Sequence, residues 1–138
     1  MGRIMAFDYG SKRVGIAVTD TMQIIASALD TVHSKDVVDF VKKYMAGEQV
    51  DMFVIGMPVN LKGEATNNTP LAQAFVNRMK KQFPDIPIHL HDERFTSKIA
   101  MQAMISGGMK KKDRRQKGNV DKISAAVILQ SFMQSRGL

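Results

Sequence analysis

The stretch from Ile4 to Asp20, IMAFDYGSKRVGIAVTD, constrains the fold more than any other part of the chain. An apolar run stops at Asp8, passes through Gly10-Ser11-Lys12-Arg13, and resumes as an apolar run rich in β-branched residues. That is the pattern of a β-hairpin, two strands joined by a short loop containing glycine. Strand period two puts Ile4, Ala6 and Asp8 on one face and Met5 and Phe7 on the other. Asp8 therefore points the way the core side chains point. An ionised carboxylate at the end of a buried face is costly unless a cation or several donors satisfy it. Two readings stand at this position. Either Asp8 is a turn aspartate that accepts backbone amides, or it is a metal ligand that needs carboxylates from elsewhere in the chain.

Beyond the hairpin, Gln23 to Val32 reads as a third strand, so the chain opens as an antiparallel meander. A helix follows from about Lys35 to Met45, capped by Ser34 or the preceding loop, because Val37, Val38, Val41, Tyr44 and Met45 recur at helical spacing; Gly47 ends it. Asp51 to Gly56 has no polar alternation, as expected of a parallel strand covered on both faces. Met57 to Gly63 is a loop by its Pro, Asn and Gly content. Thr69-Pro70 starts a second helix, with Leu71, Ala72, Phe75, Val76 and Met79 as its apolar stripe. Ile86 to His91 is a further strand that runs into Asp92-Glu93-Arg94. His89 and His91 alternate with Ile88 and Leu90, and are expected to be satisfied beneath a helix. Thr96 can cap a helix with Ile99, Ala100, Ala103 and Met104 on its buried face, and Gly107-Gly108 stops it. The last helix runs from about Asn119 to Ser135, and its middle, Ala125 to Leu129, is apolar nearly all round. A meander followed by alternating helices and strands predicts an α/β fold, a mixed five-stranded sheet covered by helices. A length of 138 residues predicts one domain, 1–138.

Charge points to the partner. The net charge is +7, and Lys110, Lys111, Lys112, Arg114, Arg115 and Lys117 against Asp113 contribute +5 of it within eight residues. This run has no apolar period and reads as a mobile surface loop suited to a polyanion such as nucleic acid. The chain has no cysteine, which excludes disulfides, thiolate zinc sites and cysteine nucleophiles. Any metal must sit on oxygen or imidazole. Three carboxylates occupy positions from which they can meet: Asp8 on the first strand, Glu93 just past the last, and Asp121 on the terminal helix. Ligands gather outside the carboxyl ends of parallel strands, and hard cations such as Mg²⁺ prefer carboxylate oxygens and water. Two such ions about 3.5–4 Å apart activate water on one side of a phosphodiester and stabilise the leaving oxygen on the other.

Asp8 to Ala17, Gly56-Met57-Pro58, Asp92 to Ser97, and Asp121 to Ala126 with Ile128-Leu129-Gln130 resemble the signature blocks of the YqgF family, also called RuvX. That family is described as pre-16S ribosomal RNA nucleases or Holliday junction resolvases. The blocks are collinear from Met1 to about Met133. The resemblance implies an RNase H-like fold and a nuclease in which Asp8, Glu93 and Asp121 are the catalytic, metal-holding acids for Mg²⁺ or Mn²⁺. Ser124 stands where related resolvases usually bring a second acid on the last helix. The implied partners are pre-rRNA or branched DNA, with ribosomal particles as a further expectation. Lys12, Arg13, Arg94 and the basic run are the candidate substrate contacts, although Arg94 can also pair with Asp92 or Glu93. There is no apolar stretch of membrane-spanning length. A cytoplasmic monomer or homodimer is therefore expected.

Three alternatives remain at this level. Glu93 and Asp121 can be ordinary acids favouring helix N-termini. Asp-x-Gly-Ser before a hairpin also opens the actin and Hsp70-like ATPases, which need two such domains to enclose a nucleotide. The fold can also serve as a non-catalytic RNA- or DNA-binding module.

Overall fold

Alternation in the first hairpin decides how the sheet is buried. The computed structural model describes residues 2–10, 12–57, 69–92 and 117–135. Its strands are β1 (Arg3–Tyr9), β2 (Arg13–Thr19), β3 (Ala26–His33), β4 (Val50–Met57) and β5 (Ile88–Asp92). Its helices are α1 (Val37–Gly47), α2 (Thr69–Gln82) and α3 (Lys117–Ser135). The five strands form one sheet in the order β3-β2-β1-β4-β5. β1 pairs antiparallel with β2, and β2 with β3. β4 lies parallel to β1, and β5 parallel to β4. This is the expected mixed sheet, with the meander and the parallel strands meeting at β1.

Each face of the sheet is closed by different helices. Met5 and Phe7 of β1 join Val14, Ile16, Phe53 and Ile55 under Val37 and Val41 of α1 and Phe75, Val76 and Met79 of α2. Ile4 and Ala6 join Ala17 and Val54 under Ala125, Ile128, Leu129, Phe132 and Met133 of α3. A helix apolar nearly all round thus spends its width on the sheet, as its sequence implies.

Several local expectations are corrected. β3 starts at Ala26 rather than Gln23, because the Asp20 carboxylate takes the amides of Ile24 and Ile25 at 2.7 and 2.9 Å and Gln23 has φ +56°. Those bonds make a turn where apolar residues had suggested a strand. Ser34 does not cap α1. Asp36 is the N-cap, without a side-chain capping bond, while Ser34 is buried, its amide donating to the Lys12 carbonyl at 3.1 Å. Leu71 is 42% exposed and falls outside the buried stripe of α2. β5 starts two residues after Ile86. Lys117, expected in the basic loop, is the first residue of α3. The helix expected after Thr96 and the loop expected over 110–116 lie outside the described residues. Among the described residues no helix is long and apolar enough to cross a membrane.

Candidate active site at the carboxyl end of the parallel strands

Register places the site. Phe7 pairs with Ile55, and Ile55 with Leu90. One residue further along, Asp8 is level with Gly56, which pairs with His91. Asp8 shares the α3 face with Ile4 and Ala6, which lie in the cluster under α3. His91 is on the same face, since its Nε2 is 3.0 Å from Ser131 Oγ of α3. Neighbouring strands lie about 4.8 Å apart, so Asp8 and His91 stand roughly 10 Å apart across the sheet. Gly56 presents no side chain between them.

Asp8 is half-buried, a position in which a carboxylate needs partners. Oxygen donors in a chain without thiolates suit a hard divalent ion rather than zinc or copper. The acids named with Asp8 follow β5 and lie on α3. β5 ends at Asp92, one residue before Glu93, and Glu93 lies outside the described residues. Asp121 lies within α3, one turn before buried Ser124 and Ala125. Among the described residues no three His, Asp or Glu side chains are grouped to hold a metal.

The turn beside Asp8 is tightly built. The Gly10 amide donates to the Arg13 carbonyl at 2.9 Å. A Cβ on Gly10 would stand 2.8 Å from that same carbonyl oxygen, so only glycine closes the turn without displacement. Lys12 and Arg13 are exposed at this end of the sheet. The turn is tied down from the opposite face. Tyr9 stacks on Phe75 of α2 at 4.6 Å between centroids and 14° between planes, and Arg78 of α2 donates to the Ser34 carbonyl at 3.0 Å. Of the other candidate contacts, Arg94, Lys110, Lys111, Lys112, Arg114 and Arg115 lie outside the described residues.

His91 is the residue whose place the sequence underplays. His91 is partly buried against α3, as expected, with its ring 6.3 Å from that of Phe132, whereas His89, expected to be covered in the same way, is exposed, although its ring is 5.4 Å from the same phenyl. Its alignment with Asp8 depends on the register of three strands, which no local pattern reveals. The only sequence signal is its spacing, two residues before Glu93.

Comparison with known proteins joins this geometry to a family. The model of the RuvX family, described as Holliday junction resolvase, matches residues 2–135. The chain belongs to the RuvX family. A protein of Amoebophilus asiaticus named pre-16S rRNA nuclease is 51% identical over 138 residues, covering 98% of this chain and 96% of that protein. One of the same name from Phocaeicola vulgatus is 48% identical over 136 residues, covering 99% and 98%. Among solved structures, Thermus thermophilus RuvC in complex with a Holliday junction substrate has a TM-score of 0.58 at 12% identity, covering 98% of this chain and 96% of that one. At that identity the likeness speaks for the fold, and it makes the RuvX chain RNase H-like in architecture.

Proposed function

We propose that this RuvX-family nuclease hydrolyses phosphodiester bonds of structured RNA, processing the 5′ end of pre-16S rRNA with Mg²⁺ or Mn²⁺ held by Asp8, Glu93 and Asp121. The observation that carries the reading is the placement of Asp8, half-buried at the carboxyl end of β1 on the face covered by α3. The strand that leads to Glu93 ends at the same level. The helix that contains Asp121 closes the same face. The bound ions would activate water and stabilise the leaving oxygen.

The chain's own residues divide the work. The carboxylates would hold the ions that activate water at the scissile bond. Lys12, Arg13, Arg94 and the run Lys110, Lys111, Lys112, Arg114, Arg115 and Lys117 take backbone phosphates, which positions a substrate without reading its bases. The relatives' names support pre-16S rRNA as substrate. The family description supports a second reading, branched DNA. The reading is of one domain over 1–138, acting in the cytoplasm on ribosomal precursor particles as a monomer or homodimer.

The test is cleavage of a precursor rRNA fragment and of a synthetic four-way DNA junction, each with Mg²⁺, Mn²⁺ or EDTA and without ATP. Metal-dependent cleavage confined to the RNA is the expected result. Cleavage of the junction alone selects the second reading. Binding without cleavage under every condition overturns both and leaves a nucleic-acid-binding module.

A further inference from the structure

Among the described residues the contact between α3 and the sheet is largely apolar, with buried Ser124 as a polar exception on the helix. Its apolar residues are Ile4, Ala6, Ala17 and Val54 below and Ala125, Ile128, Leu129, Phe132 and Met133 above. At the rim of this contact, on the edge strand β5, His91 Nε2 stands 3.0 Å from Ser131 Oγ, both residues partly buried. Apolar packing is non-directional and tolerates a helix that slides or rotates by a fraction of a turn. A hydrogen bond of 3.0 Å does not, because its energy falls steeply with distance and angle. A directional bond at the edge of an apolar contact favours one register of the helix over its neighbours. The Phe132 ring, next in sequence to Ser131, lies 5.4 and 6.3 Å from the rings of His89 and His91.

The two ends of this bond belong to the two elements on which the proposed metal site depends. His91 is two residues before Glu93 on the strand that delivers it. Ser131 is ten residues after Asp121 on the same helix, about 15 Å along its axis. A helix is stiff over that length, so fixing Ser131 also restricts where residue 121 can stand. We propose that His91 and Ser131 are positioning residues, a clamp that sets α3 against β5, the helix and the strand on which the proposed metal site depends. The inference rests on the metal-site reading above. It assigns neither residue to the metal and asks for no proton transfer. Either partner can donate, since the imidazole tautomer and the hydroxyl rotor adjust to each other.

Removing the clamp loosens the geometry of the site without removing a ligand. Groups that orient metal ligands typically change affinity or activity 10–100-fold when lost. Acting from a distance, this pair is expected at the low end.

The test measures Mn²⁺ binding by calorimetry and by the electron paramagnetic resonance of free Mn²⁺, alongside cleavage of the precursor rRNA fragment. All are read well below each variant's melting temperature. Ser131→Ala and His91→Ala should each weaken Mn²⁺ binding about tenfold. The double variant should be no weaker than His91→Ala alone, because Ser131→Ala removes only the shared bond, which His91→Ala removes together with the ring contact to Phe132. Saturating Mn²⁺ should bring kcat back to within about twofold with KM for the nucleic acid unchanged, and Ser131→Thr should bind Mn²⁺ like the parent. Unchanged Mn²⁺ affinity in Ser131→Ala overturns the clamp, as does a loss of kcat that saturating Mn²⁺ does not restore. Asp8→Asn, run in parallel, separates the two levels. If Asp8→Asn is inert and Ser131→Ala behaves like the parent, only the clamp fails; if Asp8→Asn cleaves normally, the metal-site reading fails and the clamp with it.

Discussion

The two faces of the sheet are built from different materials. The face under α1 and α2 is aromatic: Phe7 meets Phe53 and Phe75 edge to face at 5.5 Å, and Phe53 meets Phe83 at 5.4 Å. The face under α3 carries alanines where the other carries rings, with Ala6 and Ala17 in the sheet and Ala125 in the helix. Large interlocking rings bury much area and hold one arrangement. Small residues let a helix backbone approach the sheet closely. Asp8 opens onto the second face. The contrast suggests a division in which the α1 and α2 side holds the sheet rigid while the α3 side sets how near the helix, and any acid on it, comes to β1.

The largest effect expected on stability is on the aromatic face. Phe53→Ala removes a fully buried ring and its two aromatic contacts, at about 3–5 kcal/mol. Calorimetry should show a melting temperature lower by roughly 10–20 °C, with kcat retained in the folded fraction. A loss of kcat larger than the loss of folded protein would erase the distinction between the faces.

Overfilling the other face should behave in the opposite way. Ala17→Leu inserts bulk directly under α3 and should cost about 1–3 kcal/mol. Because the added volume pushes on the helix, cleavage should fall more steeply than stability. Equal falls in both would mean that the height of α3 is not tuned.

The basic run should control binding alone. Replacing Lys110, Lys111, Lys112, Arg114, Arg115 and Lys117 by Gln should flatten the plot of log affinity against log salt by about 0.9 per lost phosphate contact on duplex DNA, or about 0.7 on single strands. Roughly two to four contacts are expected, with kcat at saturating substrate preserved. An unchanged slope with collapsed turnover would place this run in the catalytic machinery.

The smallest effect belongs to the opposite end of the sheet. The amides of Ile25 and Ile24 hold the Asp20 carboxyl below its ordinary value of 3.8, and the Gly2 amide and Gln49 side chain do the same for Asp51. A depressed carboxylate stabilises the fold fully above its unfolded pKa and stops doing so as pH falls through the folded value. Melting temperature should therefore be flat at neutral pH and decline below about 3.8. Asp20→Asn and Asp51→Asn should each blunt that acid limb and leave neutral-pH cleavage intact.

What was legible in the chain was whatever repeats locally. Alternation in β1 correctly assigned Met5 and Phe7 to one core and Ile4 and Ala6 to the other. The unbroken apolar run of β4 correctly marked a strand covered on both faces. Misreadings arose where a polar group outcompetes the apolar pattern, as Asp20 does by capturing amides that would otherwise extend β3. The start of α3 was missed because Lys117 and Gly118 carry no apolar period to announce a helix. Asp8 was visible as a polar end to an apolar face. The alignment of His91 with it was not, because strand register is a tertiary property.

The central claim is that Asp8 is a metal-binding carboxylate, and Asp8→Asn tests it most directly when Mn²⁺ binding, rRNA cleavage and melting temperature are measured on the same preparation. Cleavage should drop by more than about 100-fold, beyond the range for residues that merely support a ligand. Mn²⁺ binding should weaken with it, and the melting temperature should hold or rise, since in the proposed site one charge is removed from among like charges. Activity lost only in proportion to unfolding, with Mn²⁺ affinity intact, would make Asp8 a structural turn residue and contradict the account.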